Sequence, residues 1–384
     1  MLDPHLIRAI EQTIEYKDTA RAKVLLEVLH QLQLPNQFRL EPVHNRAAPE
    51  NSVIFCFDID GVLVRGATPI PRASETLLLL QKFGVPFIIL INGGGLSEAD
   101  HISRLETRLF LRLDIRHFVQ SHTPFLDLVS LYHDKNVLCL GGEHTQKIRE
   151  VAHGYGFQRL IRDLLLSEKG QLGTTSKLNG NAALPNHGYQ QDGQPGLYFC
   201  NPDISWPTGY HDLRFAQGAF KAALKGIWAA ETDGKAELVS VTTGKPEVTT
   251  FKYTEKAFEK YRYDRFGASV HQNKTVYMID DNRTSGIKGA NNFTHEWHSV
   301  LVESGVYIAG TKPEVEPITT KRNVQEAVVW GLEEQGWQVS SGAWMWADQV
   351  CQAARSIQAI IDASELLRAF ESEGSSTSKN NRDE

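Results

Sequence analysis

The chain has 384 residues, a length that fits one large α/β domain carrying an inserted smaller one, or two domains. Forty basic against 46 acidic residues give a net charge of −6 with no basic block, so nucleic-acid binding has no electrostatic support. A hydrophobic fraction of 41% and a charged fraction of 22% are those of an ordinary globular protein, and no apolar run approaches the roughly 20 residues that span a bilayer.

Residues 4–34 place apolar side chains at Leu6, Ile7, Ile10 and Ile14, then at Leu25, Leu26, Leu29 and Leu32. That period predicts one or two amphipathic helices, broken near Lys17-Asp18, whose role is packing or dimerisation. Met1 to Glu11 carry acidic groups and lack the Arg- and Ser-rich bias of a mitochondrial presequence. Four widely separated cysteines (Cys56, Cys139, Cys200, Cys351) read as reduced thiols. Together these point to the cytoplasm, with the mitochondrion as the alternative compartment. Pro35 to Asn51, with three prolines, reads as a linker.

Val53 to Phe57 is a short apolar run rich in β-branched and aromatic residues, the pattern of a strand buried on both faces. Asp58 and Asp60 follow at once, with Gly61 behind them. Two carboxylates beside a buried strand cost several kcal/mol unless a cation or hydrogen bonds hold them. On its own the pair also fits a strand-end turn with solvated carboxylates. The spacing further predicts a helix over 73–83, a strand over 85–91 ending in Asn92-Gly93-Gly94-Gly95, and a helix over 97–113. Phe118 to Ser121 then leads to Thr123-Pro124, and a third strand over 137–140 closes on Gly141-Gly142. Alternating strands and helices are the pattern of a parallel sheet with right-handed crossovers, whose ligands sit beyond the carboxyl ends of the strands. Asp58, Asn92 and Gly142 fall there.

Leu166 to Gly196 turns polar and loop-like, after which Leu197 to Cys200 reads as a strand and Gln217 to Ala230 as a helix. Thr275 to Ile279 and Ser299 to Glu303 are further strands, Val324 to Leu332 a helix. Trp330, Trp337, Trp344 and Trp346 suit core packing or a subunit contact, and the tail from Glu371 reads as disordered. The expected division is 1–50 N-terminal helices and linker, 51–121 first part of the core, 122–243 an insertion over the sheet, 244–340 second part of the core, and 341–384 a C-terminal helix with its tail.

In chain order the chemistry-bearing set is Asp58-x-Asp60, Asn92-Gly93-Gly94, Gly244-Lys245-Pro246 and Asp281. Phosphoryl transfer needs a cation held by carboxylates, a fixed ammonium to offset phosphate charge, and donors at the phosphoryl oxygens. Lys245 alone could equally be a surface lysine, but it sits between Gly and Pro just ahead of a helix.

In this order and spacing the residues resemble the haloacid dehalogenase-like hydrolases, subclass IIA, and most closely the branch named after the human cat eye syndrome critical region protein. The matching stretches are Asp58-Ile-Asp-Gly-Val-Leu, Asn92-Gly-Gly-Gly, Ser121-His-Thr-Pro-Phe, Gln191-Asp-Gly-Gln-Pro, Asn201-Pro-Asp, Gln217-Gly-Ala-Phe, Gly244-Lys-Pro and Ile287-Lys-Gly-Ala-Asn. The resemblance implies a Rossmann-like parallel sheet with helices on both faces and an inserted, shortened α/β cap.

It also implies a phosphatase of a small organic phosphate: a lipid headgroup precursor, a sugar phosphate or a prenyl or specialised-metabolite phosphate. Asp58 would be the nucleophile that forms an aspartyl-phosphate, Asp60 the general acid/base, and Lys245 their cationic partner, with Asn92, Gly93, Gly94 and Lys245 at the phosphate. Mg2+ would be held by Asp58, Asp281 and the backbone carbonyl of Asp60. The partner is a small-molecule substrate, with no nucleic acid and no membrane span; the N-terminal helices and the tryptophan-rich end are candidate contacts of a homodimer.

Three departures oppose this reading. Ile91 stands where the family carries a hydroxyl residue, and one lost donor of this kind costs on the order of 10²–10³ in rate. Asp280-Asp281-Asn282-Arg283-Thr284-Ser285-Gly286 has Gly where the family has its second acid, and Asp280 where the family has Gly; strand alternation points Asp280 away from Asp281. The chain also passes from Gly154 to Ser167 with far fewer residues than that branch carries. A second reading is therefore a catalytically weakened relative that binds a metabolite or partner. A dinucleotide-binding oxidoreductase is a weaker third, because Gly93-Gly94-Gly95 lacks the GxGxxG spacing.

Overall fold

Val53–Phe57 (β1) lies inside a six-stranded sheet because all five side chains are apolar and both faces are covered. The other strands are Phe87–Ile91 (β2), Phe118–Gln120 (β3), Asn136–Leu138 (β4), Arg159–Ile161 (β5), Tyr198–Phe199 (β6), Val241–Thr242 (β7), Thr275–Asp280 (β8), Trp297–Val302 (β9) and Thr319–Lys321 (β10). The main sheet runs β10-β9-β8-β1-β2-β3 and every pairing in it is parallel. This computed structural model describes residues 2–32, 41–42, 53–141, 145–161, 196–206, 214–266, 274–307 and 315–377.

The helices are Pro4–Tyr16 (α1), Thr19–Leu32 (α2), Ala73–Phe83 (α3), Glu98–Leu109 (α4), Thr145–Tyr155 (α5), Gln217–Glu231 (α6), Val248–Phe266 (α7), Lys288–Phe293 (α8), Val324–Glu334 (α9) and Ser341–Thr377 (α10). Strand alternation sorts the sheet into two cores. Odd-numbered Phe55, Phe57, Phe87, Ile89, Tyr277 and Ile279 pack with α3, α4, α9 and α10, and with α1 and α2 through Ile10, Leu25 and Leu29. Even-numbered Ile54, Cys56, Ile88, Leu90, Val276 and Met278 pack instead under α7 and α8, against Phe251, Phe258 and Ala290.

The N-terminal helices break where the sequence predicts: Lys17 adopts a left-handed conformation that ends α1. Arg355 on α10 reaches the buried Glu75 of α3 at 2.6 Å, so both chain ends close over one face of the sheet. Trp337 and Trp346 are buried in that core.

Three expectations change. The strand expected over 137–140 forms over Asn136–Leu138, but it pairs with Arg159–Ile161 in a separate two-stranded sheet, so β3 is the third strand on that side of β1. Only Val137 and Leu138 of this stretch are even half-buried, whereas Phe118, Val119 and Gln120 are all buried, and burial decides which segment enters a doubly covered sheet. The helix expected over 97–113 stops at Leu109, where Phe110 turns left-handed and Leu111 and Leu113 enter the core as coil. The tail from Glu371 is helical through Thr377, because propagation from the packed half of α10 adds one hydrogen bond per residue fixed. The polar stretch 166–195, Gly142 and Gln191-Asp-Gly-Gln-Pro lie outside the described residues.

Between β3 and α7 the described segments form two small units, β4 with β5 and α5, and β6 with β7 beside α6. Thr123 Oγ1 donates to Glu98 Oε1 at 2.8 Å, Tyr155 on α5 donates to the same oxygen, and His122 Nδ1 lies 2.8 Å from the Tyr155 hydroxyl. The Ser121-His-Thr stretch thus ties α5 to the loop ahead of α4. Among the described residues no helix is long and apolar enough to cross a membrane.

Candidate active site

The strand alternation that builds the two cores also gathers the site. Asp58, Asn92 and Asp280 share the parity of Cys56, Leu90 and Met278, so all three project toward the α7 side, where Lys245 precedes that helix. Lys245 Nζ lies 2.8 Å from Asp58 Oδ1 and 2.7 Å from Asp280 Oδ2. Lys245 is 1% exposed and Asp280 wholly buried. Burial works against the ammonium, yet Asp280 and Asp58 hold its pKa above the usual lysine range.

Asp280 therefore does not turn away from the site. Alternation does separate it from Asp281, but it aims Asp280 at Asp58 and Lys245. The exchange of Gly and Asp within 280–286 also has a spatial reason. Asp280 Oδ2 accepts from the Gly286 N–H at 3.2 Å, and a Cβ added at Gly286 would sit 2.2 Å from that oxygen. The Asp280 carboxylate fills the place a side chain at 286 would take. Asp280 Oδ1 accepts from the Asn282 N–H at 2.7 Å, which fixes its rotamer.

Asp281 lies just beyond the end of β8, where its Oδ2 accepts from the Val306 N–H at 2.7 Å. Gly61 and Gly305 leave room for it: added Cβ atoms would stand 2.2 and 1.9 Å from Asp281 Oδ2. Gly61 also needs its φ of +82°, which side-chain-bearing residues rarely adopt. Gly305→Ala is expected to displace the Asp281 carboxylate and to weaken divalent-cation binding at least about 10-fold, measured by isothermal titration; unchanged affinity would contradict the packing.

Asp58, Asp280 and Asp281 each offer an oxygen within 4.8 Å of the others. Three carboxylates around one ammonium leave excess negative charge. Burial, then the neighbouring acids, push Asp281 up to about 8; burial pushes Asp58 up to about 7 against the pull of Lys245. An all-oxygen, mostly anionic set with excess charge fits a small hard divalent cation. Asp60 is not in this group: its side chain is exposed, and burial of its carboxyl raises its pKa against Arg108 and Lys245. A raised carboxyl facing solvent suits proton exchange with a leaving group.

Asn92 departs from its expected contact with phosphate. Its Oδ1 accepts from the Lys245 N–H at 2.5 Å, and its Nδ2 donates to Lys245 O at 2.8 Å and to both carboxylate oxygens of Asp203 at 3.1 Å. The amide is committed to the protein, so it is not a free donor. Among the described residues the N–H groups of Gly93 and Gly94 have no protein acceptor and are open to an anion. Ile91 is buried and packs in the odd-numbered core. Asp280 and Asp203 are the two members of the constellation that sequence reasoning left without a role. Counting parity from Cys56 and Met278 would have found the first; nothing in the sequence reports the second.

A family model described as haloacid dehalogenase-like hydrolase matches residues 55–158. A Saccharomyces cerevisiae protein named mitochondrial hydrolase is 31% identical over 346 residues, 73% of this chain and 96% of that protein. A Schizosaccharomyces pombe protein named cardiolipin synthase (CMP-forming) / mitochondrial hydrolase fusion protein is 32% identical over 343 residues, 75% of this chain and 54% of its own length. The chain thus spans about half of that fusion protein. Two solved structures share the fold: a hypothetical protein from Pyrococcus horikoshii (18% identity, TM-score 0.53, 72% of this chain and 99% of that one) and a 4-nitrophenylphosphatase from Thermotoga maritima (17%, 0.52, 73% and 98%). With nearly the whole length of the budding-yeast protein matched at that identity, the chain belongs to the haloacid dehalogenase-like hydrolases.

Proposed function

We propose that this hydrolase is a divalent-cation-dependent phosphatase of a small organic phosphate. The observation that carries the reading is Lys245 Nζ, held between Asp58 and Asp280 with Asp281 within ligand reach. Asp58 Oδ attacks phosphorus in line with the ester oxygen, forming an acyl phosphate as the P–O bond to the leaving group breaks. Asp60 gives its proton to that oxygen, then takes one from the water that hydrolyses the aspartyl-phosphate, returning both carboxyls to their starting states. Lys245 and the N–H groups of Gly93 and Gly94 bind the phosphoryl oxygens. Mg2+ held by Asp58, Asp281 and Asp280 would offset phosphate charge when bound.

Among substrate classes, a phosphate of glycerophospholipid metabolism is favoured, because the fission-yeast relative is fused to a cardiolipin synthase by name. The yeast names also favour the mitochondrion over the cytoplasm. Residues 122–243 act as the cap that selects substrate. The test is turnover of p-nitrophenyl phosphate and a panel of glycerol-, sugar- and prenyl-phosphates. Mg2+-dependent release of phosphate, abolished by EDTA, is expected; none on any ester supports the second reading, a metabolite-binding relative, which Ile91 favours by removing a hydroxyl donor.

A pH dependence follows from the raised carboxyls. Asp58 and Asp281 titrate near 7 and 8 in the folded protein against 3.8 ordinarily, so the folded state binds more protons in between. Metal-free stability therefore falls as pH rises from about 4 through about 8. A bound cation replaces those protons, so millimolar Mg2+ should raise Tm more at pH 8 than at pH 6 in a melting assay. An equal shift at both would contradict the assignment.

A further inference from the structure

We propose that Asp203 is a positioning residue of the active site: acting through Asn92, it fixes the backbone of Lys245 and so the place of the lysine ammonium. This rests on the phosphatase reading for its kinetic consequence, but not for its geometry. Asp203 lies on the segment that returns from the insertion, after β6, and Asn92 on the loop after β2. Nothing in the chemistry of the reaction requires a carboxylate there.

The argument turns on which end of an amide can face which group. An ionised carboxylate only accepts hydrogen bonds, so Asp203 Oδ1 and Oδ2, both 3.1 Å from Asn92 Nδ2, demand that the nitrogen face them. That choice turns Asn92 Oδ1 toward the Lys245 N–H, at 2.5 Å, and leaves the second amide hydrogen for Lys245 O, at 2.8 Å. Flipped, the amide would set oxygen against the carboxylate and against Lys245 O. Asn92 in its held orientation grips both polar groups of the Lys245 backbone, one residue from the side chain that bridges Asp58 and Asp280. Without Asp203 a buried amide hydrogen loses its acceptor and the preference between the two orientations weakens.

Asp203 is itself rigidly placed. Its N–H donates to Asn201 Oδ1 at 2.7 Å, and Asn201 Nδ2 donates to Asn92 O at 2.9 Å, so one short loop grips Asn92 at two points. Gln217 Oε1 accepts from the N–H groups of Cys200 and Asn201 at 2.8 and 2.9 Å, and the Gly218 N–H donates to Asp203 O at 2.8 Å. A Cβ at Gly218 would stand 2.1 Å from Pro202 O, so the start of α6 fits this loop only as glycine. Asn201-Pro-Asp and Gln217-Gly are thereby two halves of one support. The insertion is linked to the catalytic lysine by a chain of hydrogen bonds.

The test compares Asp203→Ala, Asp203→Asn, Asn92→Ala and the Asp203→Ala/Asn92→Ala pair. Two readouts are p-nitrophenyl phosphate kinetics with Mg2+ and the Lys245 ammonium signal in 15N-lysine side-chain NMR, assigned by its loss in Lys245→Met. Expected are a fall in kcat of about 10- to 100-fold for Asp203→Ala with KM nearly unchanged, and a smaller fall for Asp203→Asn, which keeps a neutral acceptor. In the Asn92→Ala background, removing Asp203 should cost less than about twofold more, because both act through one link. The Lys245 signal should broaden in Asp203→Ala and Asn92→Ala alike. Equal losses in both backgrounds, a change in KM alone, or an unaltered Lys245 signal would overturn the proposal. If the wild type turns over no ester, the phosphatase reading fails and the NMR comparison alone decides; should Asp203→Ala not fold, Asp203→Asn carries both readouts.

Discussion

Asp58→Asn is expected to lower turnover of p-nitrophenyl phosphate by more than about 10³-fold, since a neutral amide oxygen is a far weaker nucleophile toward phosphorus and the loss of a covalent nucleophile costs up to about 10⁶ in other enzymes. The variant should fold. Asn is nearly isosteric with Asp, and it relieves the crowding of negative charge that pushes Asp58 up to about 7. Melting temperature without metal should therefore hold or rise while rate collapses, a separation that a merely structural role for Asp58 would not give. Steady-state kinetics on matched preparations, with melting curves beside them, checks both halves. A residual rate within about tenfold of wild type would remove Asp58 from the chemistry.

The second large effect concerns the exchange of acid and glycine between positions 280 and 286. Asp280→Gly removes one partner of a fully buried ion pair and should cost about 3–5 kcal/mol of stability, with a fall in kcat of about 10²–10³-fold. Gly286→Asp should be as damaging, because its Cβ alone would stand 2.2 Å from Asp280 Oδ2 and a second carboxylate would be buried against the first. Made together, the two changes free the space and return one carboxylate to it. The double variant is expected to recover most of the lost stability and rate. A double variant no better than the worse single one would show that the Asp280 carboxylate does not occupy the place of the missing acid.

The residues that were legible in the sequence are those whose environment is set locally. β1 and α3 have the bounds the sequence predicts, because an apolar run and a helical period are properties of the segment itself. Asp58 and Lys245, 187 residues apart, come together through the order of strands that the alternating pattern implies. What stayed hidden depends on partners. The segment at Asn136–Leu138 is a strand by composition, but its sheet is chosen by burial, which composition does not report. Asp280 was misdirected by comparing it only with its neighbour Asp281, when the comparison that matters runs across the sheet to Cys56, directly opposite Met278. The Asn92 amide looked like a phosphate donor because its commitment to Lys245 and Asp203 spans 153 and 111 residues of chain.

The most direct test is a crystal structure with Mg2+ and beryllium fluoride, a mimic of the phosphoryl group that needs no knowledge of the substrate. The mimic should stand on an Asp58 oxygen, beside a cation ligated by Asp58 and Asp281, with Lys245 Nζ still between Asp58 and Asp280. A cation seated away from these carboxylates, or the mimic bound anywhere other than Asp58, would contradict the account.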